Sequence, residues 1–343
     1  MAMTWTASRA AVHWWAVLTA VLTFALLCSG GLVTSLGAGM AVPDWPNTFG
    51  YNMFLFPTSR WVGGIFYEHT HRLVASGIGL MTVILSIALW KVEPRRWVRI
   101  FGVCAVAGVC LQGLLGGLRV VLIKDEIGVF HALLAQSFLV AISILAIVTS
   151  RPFVEKRWAD YEPHPTLRWW AFGVTGLIFL QLGIGATMRH EHIGLSIPDF
   201  PLAYGSWFPD TSPAALEKIN TQRMADGEMK TTALQVWIQM SHRVLAVLIA
   251  GAVLAFFWKA RRGSRAVRLW SMIWIAMIFA QIGLGAWTIW SNKAADVATA
   301  HMALGALCLL VGALLAFRLF CGARIRDFIL PDGQNRSLIG RIA

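Results

Sequence analysis

Four histidines in apolar surroundings are the residues of this chain best suited to chemistry: His71, His131, His242 and His301. They form two pairs of nearly equal spacing, His71 with His131 and His242 with His301. Ionisable residues inside a membrane are rare and usually face a bundle interior. One such histidine is most often a hydrogen-bonded core residue. Two equivalent pairs point elsewhere, because neutral imidazole is a common axial ligand of haem iron. Two imidazoles on facing helices can clamp one flat metal cofactor between them.

The residues around the pairs are duplicated too. Glu68-His69-Thr70-His71-Arg72 returns as Gln239-Met240-Ser241-His242-Arg243, and Phe130-His131-Ala132-Leu133 as Ala300-His301-Met302-Ala303. Arg72 and Arg243 each follow a paired histidine, where a guanidinium suits bidentate contact with a carboxylate at the cofactor edge. The copies part at one position. Glu68 lies one helical turn before His71, whereas Gln239 holds that place before His242. A carboxylate in one copy and an amide in the other suggests unequal duties: proton-transfer chemistry in the first, a supporting cofactor in the second.

These side chains require helices to position them. The chain of 343 residues is 57% hydrophobic and only 13% charged, against about a quarter charged in soluble domains. Its apolar residues fall in long runs, which marks an integral membrane protein. Eight spans are expected, near 11–36, 64–90, 97–118, 127–149, 168–188, 234–258, 267–290 and 297–320. The fold class is therefore all-α: eight transmembrane helices as two pseudo-symmetric four-helix bundles. The expected layout is an N-terminal bundle over 1–150, a cytoplasmic linker over 151–167, a C-terminal bundle over 168–325 and a cytoplasmic tail over 326–343. Four helices per copy give the two copies the same orientation, as in parallel repeats.

The net charge of +12 follows topology rather than nucleic acid. Lys91, Arg95, Arg96 and Arg99, then Arg151, Lys156 and Arg157, then Lys259, Arg261, Arg262 and Arg265 fill alternate short loops. The opposite loops are poorer in base: Arg60 lies in the first, Arg119 and Lys124 in the second, and Lys293 in the last. Basic loops face inward, so both termini are expected in the cytoplasm and all four histidines near the outer face. The outer loops carry a second duplicated motif, Val42-Pro43-Asp44-Trp45-Pro46 and Ile197-Pro198-Asp199-Phe200-Pro201.

Other candidates carry less. Stretches around Gln112–Gly117, Gln181–Gly185 and Gln281–Gly285 read as close helix packing that also leaves room for a planar ring. His69, His190 and His192 lack partners in the other copy and read as surface or supporting groups. Met188-Arg189-His190-Glu191-His192 has the residue types of a metal site without the helical spacing of one. His13 and His164 lie toward the cytoplasmic side. Cys28, Cys104, Cys110, Cys308 and Cys321 include no closely spaced pair and read as apolar fillers. Ser212-Pro213 starts a surface helix expected near 213–226.

Glu68-x-x-His71-Arg72, His131, Ser241-His242-Arg243, His301 and the stretch from Gly31-Leu32-Val33-Thr34 to Pro43-Asp44-Trp45 together resemble the heme A synthase family, over nearly the whole chain. The resemblance implies an oxidoreductase of the bacterial-type plasma membrane. It would oxidise the C8 methyl of haem O to a formyl group by successive hydroxylations, making haem A for terminal oxidases. It also implies that His71 and His131 flank the substrate haem O, with Glu68 needed for the chemistry, and that His242 and His301 ligate haem b. Partners implied are haem O, the lipid bilayer, and a haem O synthase and terminal-oxidase assembly; the electron donor stays open. Some members carry a cysteine pair in an outer loop. This chain has none, so a thiol relay there is excluded. Two other readings of the residues are a di-haem b cytochrome relaying electrons from quinol, and a transporter built on parallel repeats.

Overall fold

The computed structural model describes residues 5–155 and 166–329. His164, most of the expected 151–167 linker and the tail beyond Ile329 lie outside the described residues.

In lipid, a backbone must satisfy its own polar groups, and an apolar run does so as a helix. Eight helices among the described residues are long and apolar enough to cross a membrane. They are α1 (Ala7–Ser35), α2 (Gly63–Val92), α3 (Arg96–Leu122), α4 (Asp125–Val148), α6 (Leu167–His190), α8 (Ala233–Ala260), α9 (Arg265–Trp290) and α10 (Ala295–Ile329). Among the described residues there are also two shorter α-helices, α5 (Arg151–Val154) and α7 (Pro213–Ala225), and two single-turn 3-10 helices, Met53–Leu55 and Thr58–Arg60. Every expected span is present, and most are a few residues longer than expected. The clearest difference is α10, which runs past 325, where the tail was expected to begin.

Local sequence sets several starts. The Thr6 hydroxyl caps α1, accepting from the Arg9 amide. Thr232 and Gln235 form a reciprocal capping box on α8. Ser212, followed by Pro213, starts α7 as expected. α7 buries none of its side chains and is tied to its own loop. Asn220 exchanges two hydrogen bonds with the Thr231 backbone, and Arg223 donates to the carbonyls of Met229 and Leu195.

Each half closes on itself: α1 packs on α2, α2 on α3, α3 on α4 and α4 on α1. The second half repeats this cycle with α6, α8, α9 and α10. Between the halves, α1 packs on α10 and α4 on α6, and α4 also meets α10. The approach of α1 to α10 depends on Gly31, where an added Cβ would lie 2.3 Å from Met302 Cε. The fully buried apolar core of each half lies toward one end. It gathers Ala16, Leu85, Leu89, Ile142 and Leu145 in the first half, and Ala171, Val253, Phe256 and Trp274 in the second. The paired histidines lie toward the other end.

Candidate functional site

Each paired histidine packs against a glycine of the preceding helix in its cycle. An added Cβ would lie 2.8 Å from His71 Cε1 at Gly30, 3.1 Å from His131 Cε1 at Gly116, 3.3 Å from His242 Cε1 at Gly185 and 3.1 Å from His301 Cε1 at Gly285. The glycines therefore work as cradles as well as helix-packing positions. His242 and His301 face each other across their bundle with ring centroids 6.4 Å apart and planes at 66°. That spacing leaves room for two metal–imidazole bonds of about 2 Å each plus the two ring radii. In all four histidines Nδ1 is buried with no hydrogen-bond partner among the described residues. An unsatisfied buried polar atom costs about 1–3 kcal/mol, so four equivalent orphans mark unfinished sites. Cradle, spacing and free imidazole nitrogens fit a flat iron cofactor held by two histidines.

A glutamine fixes three of the four histidine-bearing segments. The side-chain amides of Gln112, Gln181 and Gln281 donate to the carbonyls of His131, His242 and His301, at 2.9, 2.9 and 2.8 Å. These residues were visible in the sequence only as part of glycine-rich stretches. Their even distance from the glycine cradle, four residues earlier in each case, was the signal that could have found them. The fourth place, on α1 four residues before Gly30, holds Leu26, and among the described residues no side chain donates to the His71 carbonyl.

The duplicated Asp-Pro loops adopt matching structures over the two pairs. Asp44 accepts from the amides of Phe49 and Gly50, and Asp199 from those of Tyr204 and Gly205. Glu68, which could have been an exposed loop residue, is 4% exposed. Its Oε2 accepts from the Val42 amide at 2.8 Å, and its Oε1 pairs with Arg72 at 2.5 Å. Gln239 holds the equivalent loop by two bonds to Ile197, accepting from its amide at 2.7 Å and donating to its carbonyl at 3.1 Å. The two residues thus share an anchoring task, and only Glu68 adds a charge.

Arg72 donates to the carbonyls of Val42, Asp44 and Asn47 as well as to Glu68. Four bonds use most of a guanidinium's five donors, which leaves Arg72 little capacity for a cofactor carboxylate. Arg243 donates to the carbonyls of Leu202 and Asp199, and its buried Nε has no hydrogen-bond partner among the described residues. It retains that capacity.

Of the histidines read as surface or supporting groups, two are buried. His69 is fully enclosed under the first outer loop, between Phe56 and Trp61, with its Nδ1 3.2 Å from Thr48 Oγ1. His190 ends α6 and is 6% exposed, against α4. Residue type and spacing could not show this, because the covering groups come from distant segments. His192 is exposed. His13 lies at the opposite end of α1, bonded to the Ala146 carbonyl. Among the described residues no group of three or more His, Cys, Asp or Glu could hold a metal ion. Among the described residues no disulfide is formed.

A sequence model of the family described as cytochrome oxidase assembly protein matches residues 13–313. The chain is 31% identical to the heme A synthase of Halalkalibacterium halodurans over 201 residues, covering 56% of this chain and 64% of that protein, slightly under two thirds of its length. It is 26% identical to the heme A synthase of Shouchella clausii over 280 residues, 78% of this chain and 83% of that protein. For the heme A synthase of Bacillus cereus strain G9842 the identity is 26% over 326 residues, 92% of this chain and 94% of that protein. With a match that begins inside α1 and ends inside α10, the chain belongs to the cytochrome oxidase assembly protein family.

Proposed function

We propose that this membrane protein is a heme A synthase, an oxidoreductase that converts the C8 methyl of haem O to a formyl group through successive hydroxylations. The first half is the reacting half. His71 and His131 hold haem O, and Glu68 serves the chemistry beside it. In the second half His242 and His301 hold haem b, which supplies one-electron redox capacity when bound. Arg243, with its unpaired Nε, is the better placed of the two arginines to meet a carboxylate of its cofactor. Arg72 instead keeps Glu68 and the Asp44 loop in place. The pairs lie near the outer face of the membrane, under the Asp-Pro loops.

The observation that carries this reading is the Glu68–Gln239 difference beneath Pro-Asp loops that are held alike, by Asp44 and Asp199 and by the Val42 and Ile197 amides. Gln239 shows that an amide can anchor the loop, so Glu68→Gln should keep the fold and the Val42 bond while removing the charge. The variant is expected to retain bound haem by its Soret absorption. Formyl product should fall roughly 10²-fold or more, the scale of a lost acid–base group, measured by chromatography of haems from a host lacking its own haem A. Normal haem A formation by the variant would refute the role of Glu68.

A further inference from the structure

Arg119 and His190 meet across the two halves of the molecule. A Cβ added to Gly128 would lie 2.5 Å from both Cε1 and Nδ1 of His190 and 3.0 Å from Arg119 Nε. An imidazole from the end of α6 and a guanidinium from α3 thus converge on the first turn of α4, at a residue with no side chain. His190 Nδ1 and Arg119 Nε are both buried, and neither has a hydrogen-bond partner among the described residues. Buried polar atoms are nearly always satisfied by protein, water or ligand, so two orphans on one spot mark a missing partner.

The charge around them is cationic. Arg119 pairs through Nη2 with Asp125 at 3.0 Å, while Glu126 and Glu191 are exposed. Lys293, in the turn before α10, has its ammonium pushed below the usual range by burial and by the charge of Arg189. Arg189 itself donates to Ser35 at 2.6 Å and to the Gly31 carbonyl. Gly128 lies one turn before His131 on the same helix face. The equivalent place in the second half has Ala298 for Gly128, Thr288 for Arg119 and Ser35 for His190. There the polar groups are satisfied: Thr288 donates to Leu284, and Ser35 takes Arg189 and meets Thr299 at 3.2 Å.

We propose that Arg119 and His190 form a carboxylate-binding site over Gly128, and that its ligand is a carboxylate of the tetrapyrrole held by His71 and His131. The inference rests on the haem reading above and assigns to the first half a recognition element that the second half lacks. It also gives the Arg189–His192 segment a task other than metal binding: α6 of one half helps to hold the ligand of the other.

The test titrates the purified full chain with iron protoporphyrin IX and with its dimethyl ester, read by the Soret band. Wild-type protein should bind the free acid about tenfold or more tighter than the diester, the effect of one charge-assisted hydrogen bond. Arg119→Met and His190→Leu should each bring that ratio toward one by weakening the free acid and sparing the diester. Equal affinities in the wild type would give the site to a free anion or to nothing, and overturn the proposal. A ratio preserved in both variants would also overturn it. Should a variant lose the diester as well, Gly128→Ala decides: its methyl enters the shared space, and an unchanged ratio there counts against the site. Wild-type protein that binds neither compound would sink the haem reading itself, and this site with it.

Discussion

Gly285 and Gly283 stand two residues apart on α9 and have opposite surroundings. A Cβ at Gly285 would press on the His301 ring, whereas one at Gly283 meets nothing within 4 Å. A branched side chain at the first position must push the imidazole aside. Gly285→Val is therefore expected to weaken haem retention by about 10–100-fold, the range seen when support of a metal ligand is removed. Gly283→Ala should leave it unchanged. Spectral titration of the two variants side by side checks the pair. At this scale the sequence was informative where chemistry is carried by residue type. The four histidines, Glu68 and Gln239 stood out in the sequence by residue type and by their repeated setting. Their supports did not, since the partners of His69 and His190 depend on which distant loop or helix covers them.

The elements are tied at their turns by a few polar contacts. Glu93, between α2 and α3, takes two side-chain bonds from Arg95 at 2.7 Å, and Arg95 also donates to the Val148 carbonyl at the end of α4. Burial opposes the Glu93 charge, but the hydrogen bonds and charge of Arg95 outweigh it and hold the carboxyl below its ordinary value of 4.5. A depressed carboxyl contributes stability that is fully present above the unfolded value and is lost as pH falls through the folded one. Glu93→Gln is expected to destabilise the protein at neutral pH by about 1–3 kcal/mol. The gap to wild type should shrink as pH drops below 4.5. Thermal unfolding in detergent across that range measures it. The spans themselves were legible because lipid leaves an apolar run one stable conformation. Their ends were less so, because α10 continues through residues whose charge suggested a tail.

The whole molecule is two cycles of four helices joined along α1, α4, α6 and α10. The duplicated histidine segments announced the two halves, but not that His190 crosses from one into the other. Such crossings depend on docking, which sequence pattern does not encode. The basic residues in alternate loops predict that a fluorescent protein fused at the C-terminus will fluoresce, and that alkaline phosphatase fused there will be inactive. The reverse pair of results would invert the orientation. Leu26 stands on α1 where the other three seams have a glutamine. Interhelical side-chain bonds in membranes average about 0.6 kcal/mol, roughly a threefold bias between a closed and a parted helix pair. Three seams carry that bias through glutamine, and the α1–α2 seam beside His71 does without it. In kinetic terms, the half proposed to take in and release its tetrapyrrole has the faster door, and the half proposed to keep its haem is latched at both histidines.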